Sequence, residues 1–156
     1  MGKRAYGSVA RLAYRVGWAL LRVYWFVFRP EEEGVRCALW RAGEVLMVRH
    51  SYGDRGWLLP GGRLKRGEAP AAGARREMGQ EIGVDLEHWR QVGVVESTTL
   101  HKLDRTFYLH ADVGGADPRL DRPEFSEVMW WGGEAPPPGS SPDLVDAARR
   151  GLLARP

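Results

Sequence analysis

The chain has 156 residues, of which 44% are hydrophobic and 28% charged, which is the composition of one folded domain and excludes a disordered or collagen-like chain. Its one cysteine, Cys37, excludes a disulfide framework and a cysteine-rich zinc site, and we expect a buried thiol in a cytoplasmic protein. The net charge of +3 is uneven: residues 1–30 hold six of the 23 Lys and Arg and no acid, whereas the other 126 residues hold 17 bases and 20 acids, which argues against nucleic acid as a partner of the body.

Residues 9–28 predict an amphipathic helix. At 100° per residue four arginines form one narrow stripe, and the rest of the circumference is apolar. These are Arg11, Arg15, Arg22 and Arg29. The longest charge-free runs are six residues, too short for a membrane span, and we expect neither signal cleavage nor N-terminal acylation. We predict that the helix packs on the folded domain or on a partner subunit, as in a homodimer; the alternative is contact of residues 9–29 with a membrane surface.

A polar break at residues 30–34 predicts a boundary between this segment, residues 1–33, and a folded domain, residues 34–156. Two short β-rich runs, 35–40 and 44–50, are separated by three residues that include Gly43, which predicts a hairpin. The run 57–59 predicts a strand that ends in a glycine turn at Gly61 and Gly62.

A helix of about thirteen residues is predicted after this turn, from Pro70 to a stop at Gly83. Residues 89–97, 106–113 and 127–131 then predict three strands. Ser141 is a favourable cap for a last helix, with Pro142 at its first position, that runs to about Arg150. Because most strands follow one another without a helix between them, the pattern predicts an α/β fold with a mixed sheet.

The segment Gly61 to Val84 is the most informative. Glu77, Gln80 and Glu81 lie within one face of the predicted helix, and the opposite core face is expected to hold Ala71, Ala74, Met78 and Ile82. Two like charges one turn apart repel, and a hard divalent cation reverses that cost, because carboxylates, a backbone carbonyl and water are typical magnesium ligands.

The spacing of this segment resembles the signature of the Nudix hydrolases. Gly62 is followed after five residues by Glu68, and after seven more by Arg76 and Glu77; a Leu-Pro-Gly-Gly approach precedes it. Met78 and Val84 occupy the two aliphatic positions. The resemblance implies an α/β/α sandwich preceded here by the N-terminal helix, and hydrolysis, with Mg²⁺ or Mn²⁺, of the pyrophosphate bond of a nucleoside diphosphate linked to another moiety.

The resemblance also implies roles for individual residues. Glu77 and Glu81 would be metal ligands on the helix, with Glu77 as the general base in some members, and the carbonyl of Gly61 would be a backbone ligand. Arg76 and Glu68 would form the ion pair that holds the loop against the helix and orients Glu77.

Gln80 departs from the signature, which has a glutamate there. Its amide oxygen can still bind a metal but brings no negative charge, so a weak or inactive nucleotide-binding relative is the alternative to a working hydrolase.

Substrate-binding candidates outside the motif are His50, Arg63 and Glu124, and the small-molecule substrate itself is not identified by the sequence. In this family the general base can also be an acid in a later loop, and the candidates here are Asp121, Glu124 and Glu127. Four aromatic residues could stack on a base, although packing is the expectation for each. They are Trp57, Tyr108, Trp130 and Trp131.

Overall fold

The structure is a computed structural model that describes residues 15–21, 23–24, 31–53, 55–99, 102–116, 118–119 and 123–154. The described elements are helix α1 (residues 15–21), β1 (Glu31–Arg41), β2 (Glu44–His50), β3 (Gly61–Arg63), α2 (Pro70–Glu81), β4 (Arg90–Thr99), β5 (Lys102–Asp112), β6 (Phe125–Trp131) and α3 (Pro142–Arg149). As predicted, α2 begins at Pro70 and ends just before Gly83, and α3 begins at Pro142.

Six strands form one sheet with the order β4-β5-β1-β2-β6, and β3 pairs with β1. The predicted hairpin is confirmed: β1 and β2 pair antiparallel, and Ala42 and Gly43, with φ of 51° and 82°, form the two-residue turn that a right-handed twist favours. Outside the named strands, Trp57 makes an isolated parallel bridge to Ser140.

Two hydrophobic clusters lie on opposite faces of β1 and β2, because side chains alternate along a strand. One face contacts α2 and contains Val35, Cys37, Leu39, Ala74, Met78 and Ile82. The other contacts α3 and contains Ala38, Trp40, Met47, Leu144 and Ala147. The expected sandwich is therefore present, and the expected burial of Cys37 is confirmed.

Helix α2 matches its sequence signals closely. Pro70 lies in its first turn, and Gly83, just past its end, has the positive φ of 72° that terminates helices. Three of the four expected core residues are fully buried, but Ala71 is exposed and Gly73 is buried in its place, because Gly73 packs closely against the Leu64 side chain.

Two expectations about β1 and the glycine turn are wrong. The acidic run at Glu31 is strand and not loop, since these residues are the first part of β1, where partly exposed positions tolerate acids. The domain boundary predicted between residues 33 and 34 stays a prediction. The strand expected at 57–59 makes only isolated bridges, whereas Gly61 and Gly62, expected to be a turn, form strand β3. Glycine lacks side-chain bulk, so it permits a close backbone approach that β-propensity does not anticipate.

The chain divides into two compact units, residues 33–95 with 106–156, and residues 1–32 with 96–105. The larger unit holds both clusters and all of the motif. In the smaller unit, Arg105 Nε donates to Glu96 Oε1 at 2.8 Å, and residues 15–21 and 23–24 are helical with every side chain exposed. No helix within the described ranges has the length and apolar character needed to cross a bilayer. The packing partner expected for this helix stays a prediction.

Candidate functional site

Strand β3 brings the start of the motif against β1. Val35 pairs with Gly62 and Arg36 pairs with Gly61, while the Cys37 N–H donates to the Pro60 carbonyl at 2.8 Å. A Cβ on Gly61 would collide with the Val35 carbonyl, and a Cβ on Gly62 would collide with the Glu77 carboxylate. Both glycines are therefore required by close approach, the first to backbone and the second to a functional side chain.

Arg76 joins three parts of the motif through its guanidinium. Its Nε and Nη2 donate to the two oxygens of Glu68 at 2.8 and 2.7 Å, a bidentate geometry that the planar fork favours. Its Nη1 donates to Glu77 Oε1 at 2.6 Å, and Nη2 also donates to the carbonyl of Arg63 at 2.9 Å. The predicted pair of Arg76 and Glu68 is present, and it fixes the Glu77 carboxylate beside Gly62.

The same contacts shift the ionisation of this pair. Hydrogen bonds from Arg76 and from the Lys65 N–H, at 2.8 Å, lower the pKa of Glu68 to about 2. The two carboxylates raise the pKa of Arg76 above its usual range. Both groups therefore stay charged at neutral pH, which is what a permanent brace between loop and helix needs.

Glu81, one turn after Glu77, is the least satisfied acid of the site. Its Oε2 is buried and has no hydrogen-bond partner within the described part of the chain. Burial, together with the charges of Glu77 and Glu124, raises the pKa of Glu81 to about 7, although Arg36 and a hydrogen bond from the Gly61 backbone oppose the rise. The site thus concentrates negative charge that the protein itself does not neutralise.

This arrangement fits a divalent cation. A buried oxygen without a donor and a carboxylate whose pKa is raised by its acidic neighbours are both satisfied when a hard cation binds between them. The described residues contain no group of three or more His, Cys, Asp or Glu side chains placed to hold a metal ion, so the two carboxylates would need the Gly61 carbonyl, the Gln80 amide or water to complete the coordination. Gln80 is exposed on α2, and its role as a ligand stays a prediction.

Of the later acids, Glu124 lies closest to this site. Its charge acts on Glu81, and its carbonyl accepts a hydrogen bond from the Ser51 N–H at 2.9 Å. Glu127 instead pairs with Arg49 at 2.8 Å. Asp121 lies outside the described residues, and the identity of the later acid stays a prediction.

The two remaining substrate candidates occupy different positions. His50, at the end of β2, pairs with Phe125 across a register shift, and its buried Nδ1 has no partner within the described ranges. Arg63 is exposed at the end of β3, where its carbonyl is held by Arg76. His50 pairs with Phe125, the residue that follows Glu124, whereas the substrate role of Arg63 stays a prediction.

The four aromatic residues considered for base stacking have packing partners. Trp57 and Tyr108 are buried, and the Arg49 guanidinium covers the Trp57 ring at 4.4 Å. Arg41 covers Trp130 at 4.0 Å, and Trp131 Nε1 donates to the Ala135 carbonyl at 2.9 Å. The expected packing role is confirmed for each.

Arg36 was not singled out by the sequence arguments, although it lies beside the acidic site. It faces Gly61 in the β1–β3 register, and its charge lowers the pKa of Glu81. The signal in the sequence is a lone arginine inside the apolar run 35–40.

Comparison with known proteins gives one family. The family model described as the NUDIX domain matches residues 30–152. Over 123 residues the chain is 28% identical to an RNA pyrophosphohydrolase of Yersinia enterocolitica, with 66% of this chain and 69% of that protein covered.

Solved structures agree on the fold. A MutT NUDIX hydrolase from Burkholderia pseudomallei matches with a TM-score of 0.67 at 21% identity, covering 76% of this chain and 96% of that one. A MutT protein from Methanosarcina mazei Go1 matches with a TM-score of 0.59 at 25% identity, covering 79% and 96%. The matched range includes the whole of the glycine strand, the braced Glu77 and the buried Glu81.

Proposed function

Because the chain belongs to the NUDIX family, we propose that it hydrolyses the pyrophosphate bond of a nucleoside diphosphate linked to another moiety, with Mg²⁺ or Mn²⁺ as cofactor. The observation that carries this proposal is the pair Glu77 and Glu81 on α2. One is braced by Arg76 beside Gly62, and the other has a buried oxygen that finds no donor among the described residues.

Each protein group has a definable part in this chemistry. Glu77, Glu81 and the Gly61 carbonyl would hold the metal, with the Gln80 amide as a neutral fourth donor. When bound, Mg²⁺ or Mn²⁺ would lower the pKa of an attacking water and neutralise charge on the phosphate oxygens. Arg76 keeps the Glu77 carboxylate in place and so acts as a positioning residue.

A carboxylate must accept the proton of the attacking water. We propose Glu124 for this step, with Glu77 as the alternative. Glu124 follows the motif in the sequence, and its charge acts on Glu81. Glu127 is the matched control, three residues away on the same segment and paired with Arg49. Measured at saturating metal, Glu124→Gln should lower kcat about 100-fold, and Glu127→Gln should lower it less than threefold. Equal small effects of both changes would transfer the role to Glu77.

The proposed reaction is tested with the purified chain and a panel of substrates. The panel contains nucleoside diphosphates linked to sugars, to nucleosides and to further phosphate, and also an RNA with a terminal diphosphate, since one relative is an RNA pyrophosphohydrolase. Release of phosphate or a nucleotide should require Mg²⁺ or Mn²⁺ and should stop on chelation. Hydrolysis that survives chelation would contradict the metal assignment.

Gln80 supports one second candidate, a binding module with little or no catalysis. It replaces a signature carboxylate with a neutral amide and weakens the field that holds a divalent cation. Nucleotide binding in calorimetry, without turnover of any member of the panel, would favour this candidate.

We also propose that residues 9–29 contact an anionic lipid surface. Six large hydrophobic side chains of the described helical residues are 40–64% exposed. They are Val16, Trp18, Leu20, Leu21, Val23 and Tyr24. The segment 1–30 carries six positive charges and no acid, which complements anionic headgroups and repels a second copy of itself.

A further inference from the structure

Arg36 is a charged residue in an otherwise buried part of the sheet. It lies on β1, which has β5 on one side and β2 on the other, and both of its neighbours, Val35 and Cys37, are buried. Its own side chain is only partly exposed. A guanidinium at such a position loses hydration and is normally compensated by a carboxylate or by hydrogen bonds.

No such compensation is present within the described part of the chain. Arg36 has neither a hydrogen bond nor an ion pair there, and its charge acts on other groups only at a distance. Burial raises the pKa of Tyr108, and the Arg36 charge opposes that rise. By contrast, Arg49, Arg75 and Arg76 all bind carboxylates.

The direction of Arg36 follows from the alternation of β1. Val35 and Cys37 pack in the cluster that contacts α2, whereas Ala38 and Trp40 pack in the cluster that contacts α3. Arg36 shares the second face, at the end of β1 where Gly61 pairs with it. Arg36 thus lies on the face opposite α2, and its link to Glu81 is Gly61, which pairs with Arg36 and whose backbone hydrogen-bonds to Glu81.

We propose that Arg36 binds the diphosphate of the substrate. A diphosphate carries more negative charge than a carboxylate, and its oxygens match the planar donor fork of arginine. This inference rests on the proposed function, because the diphosphate must also contact the cation held by Glu77 and Glu81. The proposal places a substrate contact on β1, outside the motif of residues 62–84.

The competing explanation is that Arg36 only balances the acidic site. Arg36→Gln alone does not separate the two, because loss of a positive charge tightens cation binding and weakens anion binding in either case. Arg36→Lys separates them, because lysine keeps the charge but lacks the planar donor fork. Full recovery of diphosphate binding in Arg36→Lys would mean that Arg36 acts only by its charge. A purely structural role weakens both cation and anion binding, because the site then loses its shape.

The test uses the full chain with three changes on β1: Arg36→Gln, Arg36→Lys and the control Arg41→Gln. Arg41 lies on the same strand but stacks on Trp130 at the far end. Binding of Mn²⁺ alone is measured by electron paramagnetic resonance. Binding of imidodiphosphate, a diphosphate analogue that resists hydrolysis, is measured by calorimetry in Mg²⁺, and thermal unfolding is recorded for each variant.

Arg36→Gln should weaken imidodiphosphate binding about tenfold, with Mn²⁺ binding equal or tighter, and Arg41→Gln should change neither. Arg36→Lys should recover part of the loss, because it restores the charge without the fork. Unchanged imidodiphosphate binding in Arg36→Gln, or a parallel loss of Mn²⁺ binding, would overturn the inference alone. A native chain that binds neither Mn²⁺ nor imidodiphosphate would overturn the proposed function as well.

Discussion

Glu77 and Glu81 lie on one face of α2, yet the protein holds them in different ways. Glu77 accepts a hydrogen bond from Arg76 at 2.6 Å, so its position is set before any ligand arrives. Glu81 has a buried oxygen to which no described residue donates, and burial together with acidic neighbours raises its pKa to about 7. Glu81 would bind a cation at the lower cost, because its buried oxygen gives up no hydrogen bond to a described residue when the cation binds.

Glu81→Gln should therefore separate activity from stability. We expect a loss of at least about 100-fold in kcat/KM, about 2.7 kcal/mol of transition-state stabilisation. The melting temperature should stay equal or rise, because the amide removes repulsion from Glu77 and Glu124. Glu87→Gln, an exposed acid beyond α2, is the control and should change neither kcat/KM nor the melting temperature. A variant with native activity would remove Glu81 from the metal site.

Gln80→Glu tests the one departure from the signature. If position 80 faces the metal, a third carboxylate should lower the half-maximal Mg²⁺ concentration several-fold, because it adds a negative charge within ligand distance. Gln91→Glu places the same charge on exposed β4 and should leave the Mg²⁺ dependence unchanged. Metal titrations of hydrolysis give both values. An unchanged or higher Mg²⁺ requirement in Gln80→Glu would mean that residue 80 points away from the metals.

Among the elements, those with strong local signals are the ones that sequence reasoning predicts well. Pro70 and Gly83 mark both ends of α2, and Gly43 marks the β1–β2 turn, because each acts through its own backbone preference. Strand β3 was missed for the converse reason. Its glycines have no β-propensity, and they pair with β1 only because the chain elsewhere brings that strand within reach.

The candidate site likewise contains residues that a local motif predicts and residues that only long-range strand pairing brings together. The resemblance implies a brace of Glu68, Arg76 and Glu77, and the structure contains these contacts, because the motif supplies all three residues within a short segment. Arg36 and Glu81 come together through strand pairing between distant segments. No local pattern reports such pairing, so Arg36 was not selected from the sequence.

Two adjacent glycines of β3 should respond differently to the same change. Gly61→Ala forces a Cβ into the Val35 carbonyl, which is backbone and cannot move freely, so we expect a loss of about 1 to 3 kcal/mol in the free energy of unfolding. Gly62→Ala meets the Glu77 carboxylate, the far end of a side chain, so we expect activity to fall about tenfold or more with a smaller loss of stability.

Chemical denaturation and steady-state kinetics measure these two losses. Gly79→Ala is the matched control, since an added methyl group there meets no atom closer than 3.8 Å and alanine favours a helix interior. It should raise the free energy of unfolding by up to about 1 kcal/mol at native kcat. Equal loss of stability in both β3 variants would contradict the assignment of Gly62 to the positioning of Glu77.

For the whole molecule, the two compact units differ in how their apolar residues are used. The larger unit buries its large side chains in two clusters, one on each side of the sheet. The helical residues 15–24 of the smaller unit that the structure describes all have exposed side chains. The amphipathic pattern predicts the helix but not its partner, because periodicity reports which face is apolar and not what covers it.

The lipid proposal makes a quantitative prediction for the full chain. Co-sedimentation with phosphatidylglycerol vesicles should exceed that with phosphatidylcholine vesicles and should decrease as salt is added, because basic residues are attracted to anionic headgroups. Leu20→Glu should lower the partition coefficient about tenfold, since one exposed leucine then no longer enters the interface. Tyr52→Glu changes a side chain of similar exposure outside residues 9–29 and should leave partitioning unchanged. If Leu20→Glu instead reduces the size of the native particle in ultracentrifugation, or lowers the melting temperature without vesicles, the helix packs on a second copy or on its own domain, and the lipid surface is the wrong partner.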